Sequence, residues 1–176
     1  DQDILMRIVA DRVDDHRTVD LIRRVVESFQ STGPGKGLPL GNLTSQLLVN
    51  VYMNEFDQYI KHGIRAKYYI RYADDFVVLS EDRAYLESIL PQMQKFLEDG
   101  LHISMHPKKI HLITYASGVD FLGWAHFPDH RVLRTSTKRR MVRNVQNGSE
   151  AQRESYKGLL THGNAQKLHR IIFLQK

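Results

Sequence analysis

The stretch from Tyr68 to Ser80, YYIRYADDFVVLS, constrains the fold more than any other part of the chain. Two runs of aromatic and β-branched residues flank a short turn, which predicts a β-hairpin. The turn brings Asp74 and Asp75 to the tip or beside it. Two carboxylates this close repel each other unless a cation neutralises them, and carboxylate oxygens suit Mg²⁺. A plain turn is the alternative, because Asp also hydrogen-bonds its own backbone in turns.

Composition bounds the remaining possibilities. The chain has 176 residues, enough for one domain or for one domain and a small appendage, and it lacks cysteine, which excludes disulfides and thiolate metal sites. No run approaches the roughly 18 apolar residues of a membrane span, and neither a signal peptide nor a membrane partner is expected. The net charge of +5 suits a polyanionic partner, and the basic residues concentrate after Arg131.

Hydrophobic periodicity predicts an α+β fold in which helices pack on one face of an antiparallel sheet. Pro91 lies inside one helical pattern and should kink or break that helix. Two or three short basic helices should form the tail, with breaks near residues 147–148 and 162–163. The predicted helices span 1–10, 18–29, 44–61 and 82–99, and short strands are predicted over 101–124 and 131–135.

The Tyr-Ala-Asp-Asp tetrapeptide between two apolar strands resembles the YxDD hairpin of reverse transcriptases. The resemblance implies an RNA-directed DNA polymerase, with a partial palm over residues 1–137 and a thumb-like basic helical segment over 138–176. Asp74 and Asp75 would be catalytic and metal-binding, and Tyr72 would lie near the nucleotide. Two Mg²⁺ ions per complete active site are implied, with Mn²⁺ as a substitute. The implied partners are an RNA template, a DNA primer and deoxynucleoside triphosphates, in the cytoplasm of a bacterium, an archaeon or a phage-infected cell.

A second block, GLPLGNLTSQ, covers residues 37–46. It resembles the family segment beneath the templating base and incoming nucleotide, although Gly-Pro loops that merely cap helices are common. Leu40 stands where most reverse transcriptases carry Gln, and Gln46 where they carry Pro. This form resembles the error-prone enzymes of diversity-generating retroelements, which are also expected to use a small basic accessory protein. The implied nucleotide or template contacts are Leu40, Gly41, Asn42, Ser45 and Gln46.

Two later blocks follow in the family's order. Lys109, in LHISMHPKKIHLI, matches a lysine near the nucleotide's phosphates, where it could neutralise charge or protonate pyrophosphate. A solvated turn lysine is the alternative. The residues Phe121, Leu122, Gly123 and Trp124 resemble the primer grip, although bare residues of this kind would also suit a core.

The basic tail and the histidines carry weaker signals. By resemblance, Lys138, Arg139, Arg140 and Arg143 would track the phosphates of a nucleic-acid duplex, and a solvated basic face is the alternative. Four histidines suggest zinc by number, but their spacing matches no ordinary zinc site. They are His102, His106, His111 and His126.

The family uses a third aspartate to bridge its two metal ions. Asp1-Gln-Asp-Ile-Leu5 matches only the tail of the corresponding motif, so the bridging aspartate and the fingers are expected upstream of residue 1. This chain alone is therefore expected to be inactive or nearly so. Two other functions remain open: another bacterial reverse transcriptase (of the retron, group II intron or phage-defence type), and a non-catalytic RNA-binding fragment.

Overall fold

The computed structural model describes residues 1–29, 33–38 and 43–174. They form two compact units, Asp1–His111 and Leu112–Lys176. In the described residues, helices are mixed with one two-stranded and one three-stranded sheet, both antiparallel. This agrees with the predicted α+β class. No helix in these ranges is both long and apolar enough to cross a membrane.

Aspartate side chains begin three of the four helices of the first unit. Asp1, Asp15 and Asp82 each accept a hydrogen bond from a backbone N–H in the first turn that follows. The cap at Asp15 explains why the second helix begins two residues before the predicted position. The helices are α1 (Gln2–Ala10), α2 (His16–Glu27), α3 (Leu43–Gln58) with a π-helical extension (Tyr59–Ile64), and α4 (Arg83–Lys95) with a π-helical extension (Phe96–Gly100).

Pro91 was predicted to kink or break α4, and it does not break the helix. The helix runs through it to Lys95 although proline donates no backbone hydrogen bond. Ile89 and Met93, on either side, are 3% and 5% exposed and belong to the core of the first unit. Their burial outweighs the loss of one helical hydrogen bond.

Two β-strands form the predicted hairpin. Strand β1 (Tyr68–Tyr72) pairs antiparallel with β2 (Asp75–Leu79), with Tyr69 opposite Val78 and Arg71 opposite Phe76. One face of the hairpin packs on α3, where the fully buried Phe56 ring contacts the Tyr69 and Phe76 rings edge-on at centroid distances of 6.3 and 5.0 Å. The hairpin is thus held rigidly against the core.

Gln2 fastens the start of α1 to the chain that leads into the 37–46 block. Its side chain is buried, and its amide nitrogen lies 3.0 Å from the carbonyl oxygens of both Val26 and Gly37. Its backbone N–H donates to the Gly35 carbonyl at 2.9 Å. A buried amide satisfied by backbone carbonyls fixes the loop because each lost bond would leave a buried polar group unpaired.

Strands were predicted across 101–124, and most of that prediction is wrong. Residues 102–118 contain no strand, only irregular chain and two 3₁₀ turns, Pro107–Lys109 and Tyr115–Ser117. Ile103 and Met105 do pack against the core, so the alternation of the sequence is real, but the segment pairs with no other strand. Alternation of apolar and polar residues indicates which side chains are buried, but it does not show that a neighbouring strand is present to pair with the segment.

The second unit builds its own core around Trp124, which packs with Leu133, Met141, Val145 and Leu160. These residues join the sheet to the tail helices, which explains why the packing boundary falls at 111/112. The palm and thumb assignment, with its division at 137/138, stays a prediction. The strands are β3 (Val119–Phe121), β4 (Trp124–His126) and β5 (Arg131–Leu133), and the helices are α5 (Thr135–Asn147), α6 (Glu150–Leu160) and α7 (Gln166–His169), followed by a π-helical turn (Arg170–Leu174).

Candidate active site

The tip of the hairpin carries the two adjacent carboxylates. Tyr72 pairs with Asp75, so Ala73 and Asp74 form a two-residue turn and Asp75 begins β2. Both aspartates are exposed, and neither makes a salt bridge within the described ranges. Ala73 has φ +52°, a left-handed conformation that costs a residue with a Cβ about 1–2 kcal/mol. The turn is therefore strained at the residue that precedes Asp74.

Arg71 ties this turn to helix α3. Its Nη1 donates to the Ala73 carbonyl at 2.7 Å and to Asn50 Oδ1 at 3.1 Å. Its Nε and Nη2 donate to the two carboxylate oxygens of Asp57 at 2.8 and 2.6 Å. The Arg71 side chain is only 9% exposed. Such a bidentate ion pair fixes the guanidinium in one orientation.

A tyrosine completes this polar cluster. Tyr69 donates its phenol O–H to Asp57 Oδ1 at 2.6 Å. Burial alone would raise the pKa of Asp57, but the hydrogen bonds from Arg71 and Tyr69 outweigh it and hold that pKa below its ordinary value. Burial, followed by the hydrogen bond to Asp57, raises the pKa of Tyr69. The cluster therefore contains a charged carboxylate, a charged guanidinium and a neutral phenol at pH 7.

The exposed carboxylates of Asp74 and Asp75 fit part of a magnesium site. Their hard oxygen ligands suit Mg²⁺ and are not occupied by a described arginine or lysine. The described ranges contain no group of three or more His, Cys, Asp or Glu side chains arranged to hold a metal ion, and this covers the four histidines. Asp74 and Asp75 would thus need ligands from a substrate or from another segment.

The nucleotide block is only partly described. Leu40, Gly41 and Asn42 lie outside the described residues. Ser45 is buried in the first turns of α3 and Gln46 is exposed there. Tyr72 is 63% exposed on the face of the hairpin that points away from the core. The exposed side chains of Tyr72 and Gln46 are accessible to a ligand.

Lys109 ends the 3₁₀ turn Pro107–Lys109, and its side chain is exposed. Its backbone N–H donates to the His106 carbonyl at 2.8 Å. Among the described residues no hydrogen bond or ion pair joins its ammonium group to Asp74 or Asp75. Its predicted role at the phosphates stays a prediction.

The predicted primer grip, Phe121–Trp124, belongs to the second unit. Phe121 pairs with Trp124, which leaves a two-residue turn at Leu122 and Gly123 with φ +53° and +82°. Both values are positive, as a type I′ hairpin turn requires. Leu122 is 46% exposed at the tip, whereas Trp124 is 6% exposed in the core. A large apolar residue is thus held in an unfavourable conformation where it meets solvent.

Helix α5 separates its basic and apolar side chains. Thr137, Met141 and Val145 recur every fourth residue and are buried. The exposed Arg139, Arg140 and Arg143 lie on the opposite side, and Lys138 is half-buried between the two faces. The tail therefore carries a concentrated basic surface.

Sequence analysis missed the residues that anchor the hairpin tip. Asn50 and Asp57 are seven positions apart and so share one face of α3. Arg71 occupies an inward position of β1, between Tyr69 and the turn. An arginine at an inward strand position needs a buried acidic partner, and this signal was available in the sequence.

Comparisons with known proteins agree with the hairpin motif. Residues 12–126 match the family described as reverse transcriptase (RNA-dependent DNA polymerase). The chain is also 25% identical over 174 residues to Protein YkfC of Escherichia coli (strain K12), a match that covers 77% of this chain and 44% of YkfC. The chain thus spans less than half the length of that relative. Because the family match covers most of the sequence, this chain belongs to the reverse transcriptase (RNA-dependent DNA polymerase) family.

Proposed function

We propose that the protein containing this chain is an RNA-directed DNA polymerase. One observation carries the proposal: two adjacent, exposed carboxylates stand at the tip of a hairpin that is packed on the core, in a chain of the reverse transcriptase family. The tip is held by buried contacts below it and is open to solvent above it. A nucleic-acid end and a nucleotide can therefore approach Asp74 and Asp75 directly.

Asp74 and Asp75 would hold Mg²⁺, with Asp74 as the principal ligand and Asp75 as the supporting acid. In two-metal nucleotidyl transfer the bound ions activate the primer 3′-hydroxyl and neutralise the triphosphate. A third carboxylate would come from a segment outside the described hairpin. Tyr72, on the outer face beside the tip, would contact the nascent base pair. Lys109 would neutralise the triphosphate or protonate the departing pyrophosphate.

The second unit would hold the nucleic acid. Leu122, exposed at the β3–β4 tip, would contact the 3′ end of the primer. Arg139, Arg140 and Arg143 would follow the phosphates of the duplex along the exposed side of α5, with Lys138 at the edge of that surface. These roles are supported by exposure and by charge.

A primer-extension assay tests the proposal. The intact protein should extend a DNA primer on an RNA template with Mg²⁺ or Mn²⁺, and Asp74→Asn should abolish extension. Glu81→Gln is the matched control, because this exposed acid lies six residues after Asp75 and makes no salt bridge among the described residues. Extension that survives Asp74→Asn would refute the assignment. So would equal loss of extension in Glu81→Gln.

We further propose that this polymerase serves a diversity-generating retroelement and works with a small basic accessory protein. The support is the pairing of Leu40 with Gln46 in the nucleotide block. Leucine at 40 removes an amide that would contact the nascent pair, so selection opposite template adenine should be loose. Leu40→Gln should lower errors at adenine and leave errors at the other bases nearly unchanged, as read by sequencing the cDNA. Unchanged errors at adenine would refute this account.

The same proteins and assays distinguish two other functions. A retron, group II intron or phage-defence polymerase would extend primers without the adenine bias. A non-catalytic RNA-binding module is favoured by the basic face of α5 and would bind RNA without extending a primer. In that case neither the unchanged protein nor Asp74→Asn would extend a primer, and both would bind RNA, whereas in a polymerase Asp74→Asn should abolish synthesis and leave RNA affinity within about twofold.

A further inference from the structure

We propose that Arg71, held by Asp57 and Asn50 of helix α3, is a positioning residue that fixes the turn carrying Asp74. The inference rests on the proposed polymerase function. Arg71 would act on catalysis through the backbone of the turn and would not itself touch substrate.

The contacts form a continuous path from the core to the catalytic turn. Helix α3 carries the fully buried Phe56, so its next residue, Asp57, has a fixed position. Asp57 binds Arg71 through both carboxylate oxygens, and Asn50 binds the far nitrogen, Nη1. That same nitrogen donates to the carbonyl of Ala73, the residue immediately before Asp74. No other side chain in the described ranges donates a hydrogen bond to this carbonyl.

The hydrogen bond from Arg71 to the Ala73 carbonyl stabilises a strained turn. Ala73 adopts a left-handed φ of +52° that a residue with a Cβ disfavours, and glycine, the usual solution, is absent. Sheet pairing holds the turn at Tyr72 and Asp75, on its two sides. The Arg71 hydrogen bond holds it from below. With all three, the direction of the Asp74 side chain is set before any ligand arrives.

Arginine is specifically required by this arrangement. Arg71 uses four of its five N–H groups, two on Asp57, one on Asn50 and one on Ala73. A lysine has three donors on a single nitrogen and cannot reach both the Asp57 carboxylate and the Ala73 carbonyl in this geometry. Arg71→Lys therefore keeps the charge and the ion pair while it releases the turn.

The matched control is Arg12→Lys. Arg12 also pairs with a carboxylate of α3, since its Nη2 lies 2.6 Å from Glu55 Oε1, but it makes no bond to the hairpin. Both variants replace an arginine that pairs with a carboxylate of α3. Only Arg71→Lys should change the chemistry at the tip.

Single-turnover extension by the intact protein is the first test. Arg71→Lys should lower the incorporation rate per active site about 10- to 100-fold, raise the Mg²⁺ concentration for half-maximal rate, and change primer–template affinity less than about twofold. Titration of active sites separates this effect from a loss of folded protein. Arg12→Lys should match the unchanged protein in every quantity.

Hydrogen–deuterium exchange of the peptide 69–76 is the second test and needs no activity. Exchange should be faster in Arg71→Lys than in Arg12→Lys. Equal exchange in the two variants would overturn the anchoring, and an unchanged Mg²⁺ requirement and rate in Arg71→Lys would overturn its catalytic effect. Failure of the unchanged protein to extend primers, or extension by Asp74→Asn, would instead refute the polymerase, and the exchange result would still decide the anchor.

Discussion

Three aspartates of this protein differ in their surroundings: one is paired within the fold, and two are exposed where a ligand could bind them. Asp74 and Asp75 are exposed and free of described ion pairs, whereas Asp57 is 22% exposed and bonded to two side chains. Their surroundings differ because Asp57 faces an inward arginine and the pair faces solvent. Acidic residues 17 and 18 positions apart thus differ in their surroundings, and in the proposed polymerase only the exposed pair would bind metal.

Acid should weaken the first unit through Asp57. The pKa of this carboxyl is lowered in the folded state, so its stabilisation is complete above the unfolded pKa of about 4 and is lost as the pH falls through the folded value. Asp57→Asn should cost about 2 kcal/mol at pH 7, a value between those of exposed and buried pairs. Thermal unfolding should show that this difference shrinks as the pH falls below the unfolded pKa. The exposed Asp99→Asn variant should show little difference at either pH.

Gly163 occupies a position that no other residue can fill without strain. Its φ is +78°, and a Cβ there would lie 2.6 Å from Cζ3 of Trp124 and 2.8 Å from Cγ of Arg131. Gly163→Ala should therefore destabilise the second unit by about 2–3 kcal/mol in chemical unfolding. Gly158→Ala, inside α6 with open space around it, should instead add about 0.5–1 kcal/mol. Equal effects of the two variants would contradict the packing described around Trp124.

At the scale of elements, two hairpins place a strained residue at the tip. Ala73 in one and Leu122 in the other adopt positive φ where Gly or Asn would be favoured. In the second hairpin the strained residue is also a large, exposed apolar side chain. Strain combined with exposure at the same position is expected where the side chain has a role outside the fold.

Leu122→Asn separates stability from function. Asn-Gly is the preferred pair for this turn, so the variant should raise the free energy of unfolding by about 0.5–1 kcal/mol. It should also lower primer extension by the intact protein, because the proposed apolar contact with the primer end would be lost. Thermal unfolding and steady-state extension measure the two effects. Leu21→Asn, an exposed leucine 63% accessible on α2, is the control and should leave extension unchanged. A Leu122→Asn protein that gains stability and keeps full extension would remove Leu122 from the primer site.

The success of sequence prediction varied between elements for physical reasons. The hairpin was predicted with its turn because alternation, β-branched residues and a tight connection all agree there. The segment 102–118 was predicted wrongly because its alternating side chains pack on the core without a neighbouring strand. The bounds of α4 were nearly right, but the break allowed for at Pro91 does not occur, because the strength of core packing is not visible in the local sequence. The carboxylate pair was found from its motif, and its anchor at Arg71 was missed because the partners lie on another element.

At the scale of the whole molecule, each unit has its own buried cluster. Phe56 lies in the cluster of the first unit and Trp124 in that of the second. The sequence did not indicate this boundary, since the motif order suggested a division at 137/138. The tail helices share a core with β4 and β5, and such long-range packing follows from the fold and not from local periodicity.

Separate cores predict separate unfolding. Phe56→Leu should lower the melting temperature of a transition reported by the first unit, whereas Gly163→Ala should lower one reported by Trp124, the only tryptophan of the chain. Calorimetry together with tryptophan fluorescence follows both transitions. Each variant should move its own transition by several degrees and the other by less than about 2 °C. A single transition that both variants shift equally would show that the units unfold together.

The outer side of the hairpin should promote self-association of the chain. Among the described residues β1 and β2 pair only with each other, so the outer edge of each strand keeps a row of unpaired amide and carbonyl groups. Beside these rows lie the exposed side chains of Tyr68, Ile70 and Leu79. Unpaired edges next to apolar side chains are a template for another extended segment. Concentrated solutions of this chain should therefore self-associate through the hairpin, and salt, which screens the net positive charge, should promote that association.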